Sequence, residues 1–282
     1  MNKIILIFGI LLLASVLLFG CNQNKKNTET SNNSSSEQPS KETPVSEVSA
    51  DVKKIQDRGV LKVGVKIDVP KFGYKDPETN IIQGFEIDLA REMAKRIVGD
   101  ATKIEFIPVT AKTRGPALDS GDVDMNISTF TITEERKKSY NFSDPYYTDG
   151  VGLLVKKENG FTGLKDLNEK KIGVAQSATT KKAVQEEADK LGIKLTFQEF
   201  ATYPEIKAAL DSGRIDVFSV DRSILYGYID DSTMILDEKF SPQQYGISTK
   251  KENEGVANLV NEIVNELKQS GELDKLILNW GL

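Results

Sequence analysis

The chain has 282 residues, of which 39% are hydrophobic and 28% are charged, and this length suggests two domains that can each bury a core. Its formal net charge of −5 offers no overall basic field to nucleic acid, and its lack of histidine excludes Ser-His-Asp and Cys-His catalysis and removes the commonest zinc ligand. The single cysteine cannot form an internal disulfide bond.

The N-terminal segment has the features of a secretory signal. Lys3 precedes an apolar or small run over residues 4–20, and this run ends at Cys21. An uncleaved membrane helix is the alternative, because 17 residues are near the lower limit for crossing a bilayer. The lipobox-like sequence Leu18-Phe19-Gly20 and the polar stretch that follows favour cleavage. Residues 1–20 are therefore predicted to be a lipoprotein signal peptide, with Cys21 lipidated and holding the protein on the extracytoplasmic side of the cell membrane.

The polar stretch after the cysteine is predicted to be a disordered tether over residues 21–50. Residues 22–50 contain two valines, one alanine and no aromatic residue, so burial of apolar surface cannot offset the entropy of ordering. A flexible chain of this length reaches about 30 Å. Such a tether would keep a folded domain near the membrane and leave it free to turn.

Beyond the tether, predicted strands and helices alternate. Residues 60–65 form a predicted strand, and residues 84–99 carry apolar side chains at every fourth position, which indicates one helical stripe. The other predicted elements of this first series are a strand over 103–109, a short helix over 115–120, a strand over 125–130 and a helix capped by Thr133. The βα repetition predicts an α/β fold with a mostly parallel sheet.

A second series of the same kind follows. Its predicted elements are strands over 171–175, 195–200 and 217–220, helices over 178–192, 204–210 and 223–229, and two C-terminal helices that break near Gly271. The segments 118–128 and 210–220 share L-D-S-G-x-x-D before a strand. This similarity has two possible explanations. Either helix–Gly–strand turns converge on such sequences, or the chain has two lobes of similar architecture. In the second case a ligand would lie in a shared cleft, outside the carboxyl ends of the strands.

Six segments together resemble the solute-binding receptors of polar amino acid ABC importers, and within that family the aspartate/glutamate-binding members. They are residues 64–70, 84–90, 111–124, 128–147, 173–184 and 203–225. The most specific part is F-T-I-T-x-E-R-K followed by F-S-D-P-Y-Y. The resemblance covers essentially residues 52–282.

This resemblance implies a type II periplasmic-binding-protein-like fold, in which two α/β lobes are joined by two crossing strands. The strands would cross near 147–150 and 241–245. Lobe 1 would comprise residues 51–146 plus 246–282, and lobe 2 residues 151–240. The lobes would close around the ligand by a hinge motion.

The family places the ligand α-carboxylate at Arg136 and Thr131, because a guanidinium fork and a hydroxyl group suit a carboxylate. From its charged run alone, Arg136 would be a surface residue. Thr179 and Thr180 would begin a helix at Ala178 and offer backbone N–H groups to the same carboxylate. Simple N-capping is the alternative role for these two threonines.

The other parts of the ligand are assigned in the same way. Asp221 ends an apolar strand and would accept the ligand ammonium group; the alternative is that it caps the helix predicted after it. Lys66 and Arg114 match the basic residues that meet the distal carboxylate in the acidic-ligand members, aided by Thr129 and Tyr203. A lone basic residue is otherwise a solvated surface charge.

A charge count then predicts an acidic ligand. Lys66, Arg114 and Arg136 give +3, and Asp221 gives −1, which leaves +2 for a ligand of net charge −1. A neutral amino acid would leave two cations buried without partners, at a cost of about 3–5 kcal/mol. We therefore expect aspartate or glutamate, which the sequence does not distinguish, with glutamine or another polar amino acid as the alternative.

Two other classes of protein compete with a receptor. The same fold hosts dehydratases and lyases, for which Asp122/Asp124 or Glu134/Glu135 would be acid–base pairs, but no activated nucleophile or metal cluster accompanies them. An adhesin role could coexist with transport, although the chain has no obvious exposed partner motif. We expect no enzyme activity, no cofactor, no metal site and no nucleic acid partner. The expected partners of this monomer are an amino acid and the ABC permease subunits.

Overall fold

The computed structural model describes residues 48–282, whose strands form two main sheets with helices packed against them. The predicted signal peptide, Cys21 and the tether as far as residue 47 lie outside the described residues. The first helix begins at Ala50, so the predicted tether extends one residue too far at its C-terminal end.

The longer predicted helices bury apolar residues at helical spacing. The helices are α1 (Ala50–Arg58), α2 (Phe85–Val98), α3 (Arg114–Ser120), α4 (Glu134–Lys137), α5 (Thr180–Leu191), α6 (Tyr203–Asp211), α7 (Arg222–Leu225), α8 (Glu254–Gln269) and α9 (Glu272–Asn279), with two 3₁₀ turns at Lys157–Asn159 and Leu164–Leu167. In α2 the stripe Phe85, Leu89 and Met93 is fully buried. Gly99, in the left-handed conformation, ends this helix.

Among residues 48–282, none of the helices combines the length and the apolar character needed to cross a bilayer.

The strands are short, and several were not predicted. They are β1 (Leu61–Val65), β2 (Asp68–Val69), β3 (Gly73–Lys75), β4 (Ile82–Gln83), β5 (Ile104–Pro108), β6 (Met125–Ile127), β7 (Tyr140–Phe142), β8 (Tyr147–Lys156), β9 (Lys171–Ala175), β10 (Thr196–Phe200), β11 (Val217–Asp221), β12 (Thr233–Ile235), β13 (Phe240–Tyr245) and β14 (Ser248–Lys250). Sheet 1 has the order β5-β1-β6-β14-β7, and sheet 2 has the order β10-β9-β11-β8-β12 with β13 also paired to β8. A third, small sheet has the order β2-β3-β4.

Both main sheets are mixed. The predicted parallel strands are present, since β5, β1 and β6 run parallel in sheet 1 and β10, β9 and β11 run parallel in sheet 2. Antiparallel strands extend each set: β14 pairs with β6 and β7, and β8 pairs with β11 and β12. This architecture is the predicted type II periplasmic-binding-protein fold.

The chain passes between the two main sheets twice. It leaves sheet 1 after β7 and enters sheet 2 at Tyr147, and it returns to sheet 1 after Tyr245. These two residues face each other in the antiparallel ladder between β8 and β13. The crossings therefore lie side by side. The exact bounds of the two lobes stay a prediction.

Two predicted elements end early for local reasons. The strand predicted over 125–130 ends at Ile127, because the next two carbonyl groups, those of Ser128 and Thr129, accept hydrogen bonds from the Arg114 guanidinium at 2.7 and 3.0 Å. The helix predicted over 223–229 ends at Leu225 and continues as turns. The first of these turns follows the end of β6, and the second follows the end of α7.

Candidate ligand-binding site between the two sheets

Two arginines meet at one aromatic ring. The guanidinium of Arg114, in the first turn of α3, lies 3.9 Å from the ring centre of Phe130, and that of Arg136 lies 4.5 Å from it. Burial, and after it the nearby charge of Arg114, lowers the pKa of Arg136 to about 9. The Thr133 hydroxyl caps α4 by accepting from the Arg136 backbone N–H at 3.1 Å. The cap fixes Arg136 in the first turn of α4, and the guanidinium groups of both arginines lie close to the Phe130 ring.

Arg136 is not a free surface residue. Its Nη1 donates to the Thr131 carbonyl at 2.7 Å, and its Nη2 donates to the Ser177 carbonyl at 3.0 Å. Thr131 follows β6 of sheet 1, whereas Ser177 follows β9 of sheet 2. The side chain therefore contacts the strand ends of both sheets.

Asp221 is buried at the end of β11 and occupies the N-cap position of α7, but its side chain forms no capping hydrogen bond. Its Oδ2 accepts a hydrogen bond from the Tyr245 hydroxyl, while the backbone N–H of Ser223 in α7 donates to Asp149 at 2.7 Å. Burial raises the pKa of Asp221 to about 7, although the Tyr245 hydrogen bond and two arginine charges act in the opposite direction. Its Oδ1 is buried without a hydrogen-bond partner among residues 48–282. The helix-cap role weighed for Asp221 is wrong.

The start of α5 differs slightly from the prediction. The helix begins at Thr180 instead of Ala178, and Thr179 occupies the N-cap position without a side-chain capping bond. The hydroxyl of Thr179 donates to Gln243 Oε1 on β13 at 2.7 Å, and Thr180 is buried. Simple N-capping by these side chains is therefore wrong. The first backbone N–H groups of a helix lack intrahelical acceptors, so this end of α5 can bind an anion.

Lys66 is buried and already has a counterion. Its side chain is 2% exposed, and its Nζ lies 3.0 Å from Oδ1 of Asp68 and 4.7 Å from the ring centre of Tyr203. Burial lowers the pKa of Lys66, and the charge of Asp68 opposes that shift. Arg114 is also buried, and its Nε has no hydrogen-bond partner among the described residues. The solvated-surface alternative is therefore wrong for both residues, and the contact of Lys66 with the distal end of a ligand stays a prediction.

Glu86 is a site residue that the sequence analysis missed. It is fully buried in the first turn of α2, and its Oε1 accepts from the Thr129 backbone N–H at 2.6 Å and from the Tyr146 hydroxyl. Thr129 has a φ of 49°, which is unfavourable for a β-branched residue, and the Glu86 contact holds it there. Burial raises the pKa of Glu86 to about 7, and the charges of Arg114 and Lys66 oppose this shift. An acidic residue in the first turn of a helix is usually a solvated partner of the helix dipole, so nothing in the sequence marked it.

The two missed carboxylates change the charge count. Lys66, Arg114 and Arg136 still contribute +3. Asp68 and Glu86 now join Asp221 and contribute −3 when all three are ionised, so +3 − 3 leaves 0 where the sequence count left +2. With Glu86 protonated, +3 − 2 leaves +1, so in either state the count is lower than the predicted +2 and no longer requires an acidic ligand.

The carboxylates weighed as acid–base pairs lie in ordinary surface contacts. Glu134 and Glu135 are exposed, and each pairs with a lysine three residues later. Asp122 accepts from a serine hydroxyl in its own turn at 2.7 Å, and Asp124 accepts from the backbone N–H of Lys62 at 2.8 Å.

Comparison with known proteins identifies the family. The model of the bacterial extracellular solute-binding proteins, family 3, matches residues 61–282. A glutamine-binding protein of Geobacillus stearothermophilus is 39% identical over 86% of this chain and 90% of its own length. The ABC transporter glutamine-binding protein GlnH of Bacillus subtilis (strain 168) is 35% identical over 99% of this chain and 97% of its own length.

A solved structure is similar over the same region. An ancestral arginine-binding protein bound to glutamine shares 37% identity at a TM-score of 0.72, over 79% of this chain and 98% of its own. The names of both curated relatives describe binding proteins, not enzymes. Fold, sequence match and relatives agree, and this chain belongs to the bacterial extracellular solute-binding proteins, family 3.

Proposed function

We propose that this protein is an extracytoplasmic receptor that delivers an amino acid to an ABC importer, and that its preferred ligand is glutamine. The site offers complementary groups for an amino acid zwitterion. The Arg136 guanidinium and the N-terminus of α5 suit the α-carboxylate, and the unpartnered Oδ1 of Asp221 suits the ammonium group.

The observation that carries the choice of ligand is the 3.0 Å contact between Lys66 and Asp68. Because this lysine is paired inside the protein, a second ligand carboxylate would meet a neutral ion pair instead of a free cation. Desolvating that carboxylate without a counterion would cost several kcal/mol. An uncharged amide avoids this cost. The two relatives named for glutamine binding support the same choice.

The same residues suggest how the ligand would be held. Arg136 contacts backbone beyond β6 and backbone beyond β9, and Asp221 lies at the end of β11. A ligand that binds both residues would therefore hold the strand ends of the two main sheets together. We infer that binding favours the closed arrangement of the two lobes, which is the form that permease subunits would recognise.

Aspartate or glutamate is the second candidate. Arg114 is buried, and its Nε lacks a hydrogen-bond partner among the described residues. A distal carboxylate could use that donor, although a glutamine amide oxygen could use it as well. The acidic ligand would require Arg114 alone to provide the counter-charge.

Calorimetry on the purified full-length protein tests the proposal, with glutamine, asparagine, glutamate, aspartate and arginine titrated separately. We expect micromolar or tighter binding of glutamine and at least tenfold weaker binding of glutamate. Tighter binding of glutamate or aspartate would favour the second candidate. No binding of any amino acid would overturn the receptor proposal itself.

We also propose that Cys21 carries a lipid that anchors the receptor. The proposal rests on the lipobox-like sequence before it and the polar tether after it. Replacing Cys21 by Ser in a bacterial host should abolish incorporation of labelled palmitate and move the protein out of the membrane fraction. Unchanged labelling and unchanged fractionation would contradict the anchor.

A further inference from the structure

Asp68 connects the small sheet to α6 and to the turn that follows α7. It lies on β2, and its Oδ2 accepts from the backbone N–H of Tyr203, the first residue of α6, at 3.3 Å. Its carbonyl oxygen accepts from the Tyr228 hydroxyl. The side chain is 13% exposed. Asp68 is therefore held in place by contacts that do not involve Lys66.

Lys66 depends on this carboxylate. Among residues 48–282 it forms one ion pair, and that pair is with Asp68. The charge of Glu86 also acts on Lys66, but Oε1 of Glu86 accepts from Thr129 and Tyr146. A lysine ammonium has three N–H donors, so Lys66 can donate to Asp68 and still donate to a ligand oxygen.

We propose that Asp68 sets the charge selectivity of the receptor, because it neutralises Lys66 and leaves a paired donor and acceptor that favour an amide over a carboxylate at the distal end of the ligand. This inference rests on the proposed function. An amide has an oxygen that accepts from Lys66 and an NH₂ group that donates to Asp68. A carboxylate has no donor, and it is repelled by Asp68.

The test compares glutamine and glutamate binding by calorimetry in an Asp68→Asn variant of the full-length protein. Asparagine keeps the shape and an acceptor for Tyr203 but removes the charge. We expect the affinity for glutamate, relative to glutamine, to rise about tenfold or more. The matched control is Asp57→Asn, because Asp57 and Lys53 also lie 3.0 Å apart but are 63% and 64% exposed. The control should leave the ratio of the two affinities unchanged.

Two further variants keep the test decisive if Asp68→Asn folds poorly. Lys66→Met should lower the relative affinity for glutamate below that of the unmodified protein, because Asp68 is then unpaired. The double variant Lys66→Met/Asp68→Asn should return the ratio to within about threefold of the unmodified value. Thermal unfolding without ligand reports whether each variant is folded.

The outcomes separate this inference from the proposed function. An unmodified protein that binds glutamine, with the same glutamine-to-glutamate ratio in Asp68→Asn and in Lys66→Met, would overturn the role of Asp68 alone. Equal weakening of both ligands in Asp68→Asn would also overturn it. An unmodified protein that binds neither amino acid would overturn the proposed function, and the inference with it.

Discussion

The hydroxyl group of Tyr245 donates a hydrogen bond to Oδ2 of Asp221. Tyr245 is fully buried at the end of β13, faces Tyr147 in the ladder between the crossing strands and stacks on its ring at 5.8 Å. Its backbone also forms a bridge to Thr131. The carboxylate proposed to receive the ligand ammonium group is therefore oriented by the strand along which the two sheets are joined.

Replacing Tyr245 by Phe should weaken amino acid binding about 10- to 100-fold, because hydrogen bonds to charged groups contribute about 1.5–3 kcal/mol. Calorimetry measures the change in affinity. The control is Tyr140→Phe, which also removes a tyrosine–aspartate hydrogen bond, here to Asp119 at 3.1 Å, but on an exposed part of sheet 1. Equal effects of the two substitutions would argue against a positioning role for Tyr245.

Ligand affinity should rise with pH through neutrality. Burial raises the pKa of Asp221 to about 7, and only its ionised form accepts an ammonium group well. Below that pKa, binding must release a proton, so affinity should fall by up to tenfold for each pH unit. Calorimetry in two buffers of different ionisation enthalpy would detect the released proton. An Asp221→Asn variant should bind weakly and show no such pH dependence.

Arg136→Lys should weaken binding by about 100-fold or more. Lysine keeps the charge but loses the planar fork that donates to Thr131 and Ser177, and it cannot bind a carboxylate in bidentate fashion. The control is Arg214→Lys. The guanidinium of Arg214 also lies over a phenylalanine ring, at 5.6 Å from the ring centre of Phe200. Retention of full affinity by Arg136→Lys would exclude the proposed contact with the α-carboxylate.

Glu86→Gln should change how stability depends on pH in the absence of ligand. Burial raises the pKa of Glu86 to about 7, so the folded protein keeps a proton that the unfolded chain loses above about pH 4.5. This contribution is fully present at low pH and is lost as the pH rises towards 7, by up to about 3 kcal/mol. Burial also raises the pKa of Asp221, so its contribution to stability is lost over the same pH range. Glu86→Gln should therefore reduce the decline in stability with rising pH without abolishing it.

Urea unfolding at about pH 5 and about pH 7.5 measures this change. Glutamine keeps an acceptor for Thr129 and Tyr146, so the variant should fold. Glu105→Gln, at an exposed position on β5, should keep the original pH dependence. If Glu86→Gln also kept the original pH dependence, the Glu86 carboxyl group would not retain a proton in the folded state.

Strong periodicity made the longer elements predictable. The four-residue spacing in α2 and the apolar run before Asp221 predicted a helix and a strand correctly, whereas the assignment of Asp221 to the ligand came from the resemblance to the receptor family. The strands β2, β3 and β4 have only two or three residues, which is too short for any periodic signal. They are also the strands that position Asp68.

The predicted charge of +2 in the site was too high, and part of the reason is visible in the sequence. Lys66 and Asp68 are two residues apart, and in extended chain such residues lie on the same face, so their pairing could have been proposed from the sequence. Glu86 offered no such signal, because its contacts with Thr129 and Tyr146 join positions 43 and 60 residues apart. Long-range contacts of buried polar groups depend on the fold, so the net charge of such a cluster cannot be counted from the sequence alone.

The double crossing between the sheets has a consequence for biosynthesis. All strands of sheet 2 lie between residues 147 and 245, so they are available as soon as that stretch has been translated. Sheet 1 cannot be completed at that moment, because β14 lies between β6 and β7 and is made last. The half that carries Arg136 must therefore wait for the C-terminal residues, and a nascent chain interrupted before Ser248 would have one finished half and one unfinished half.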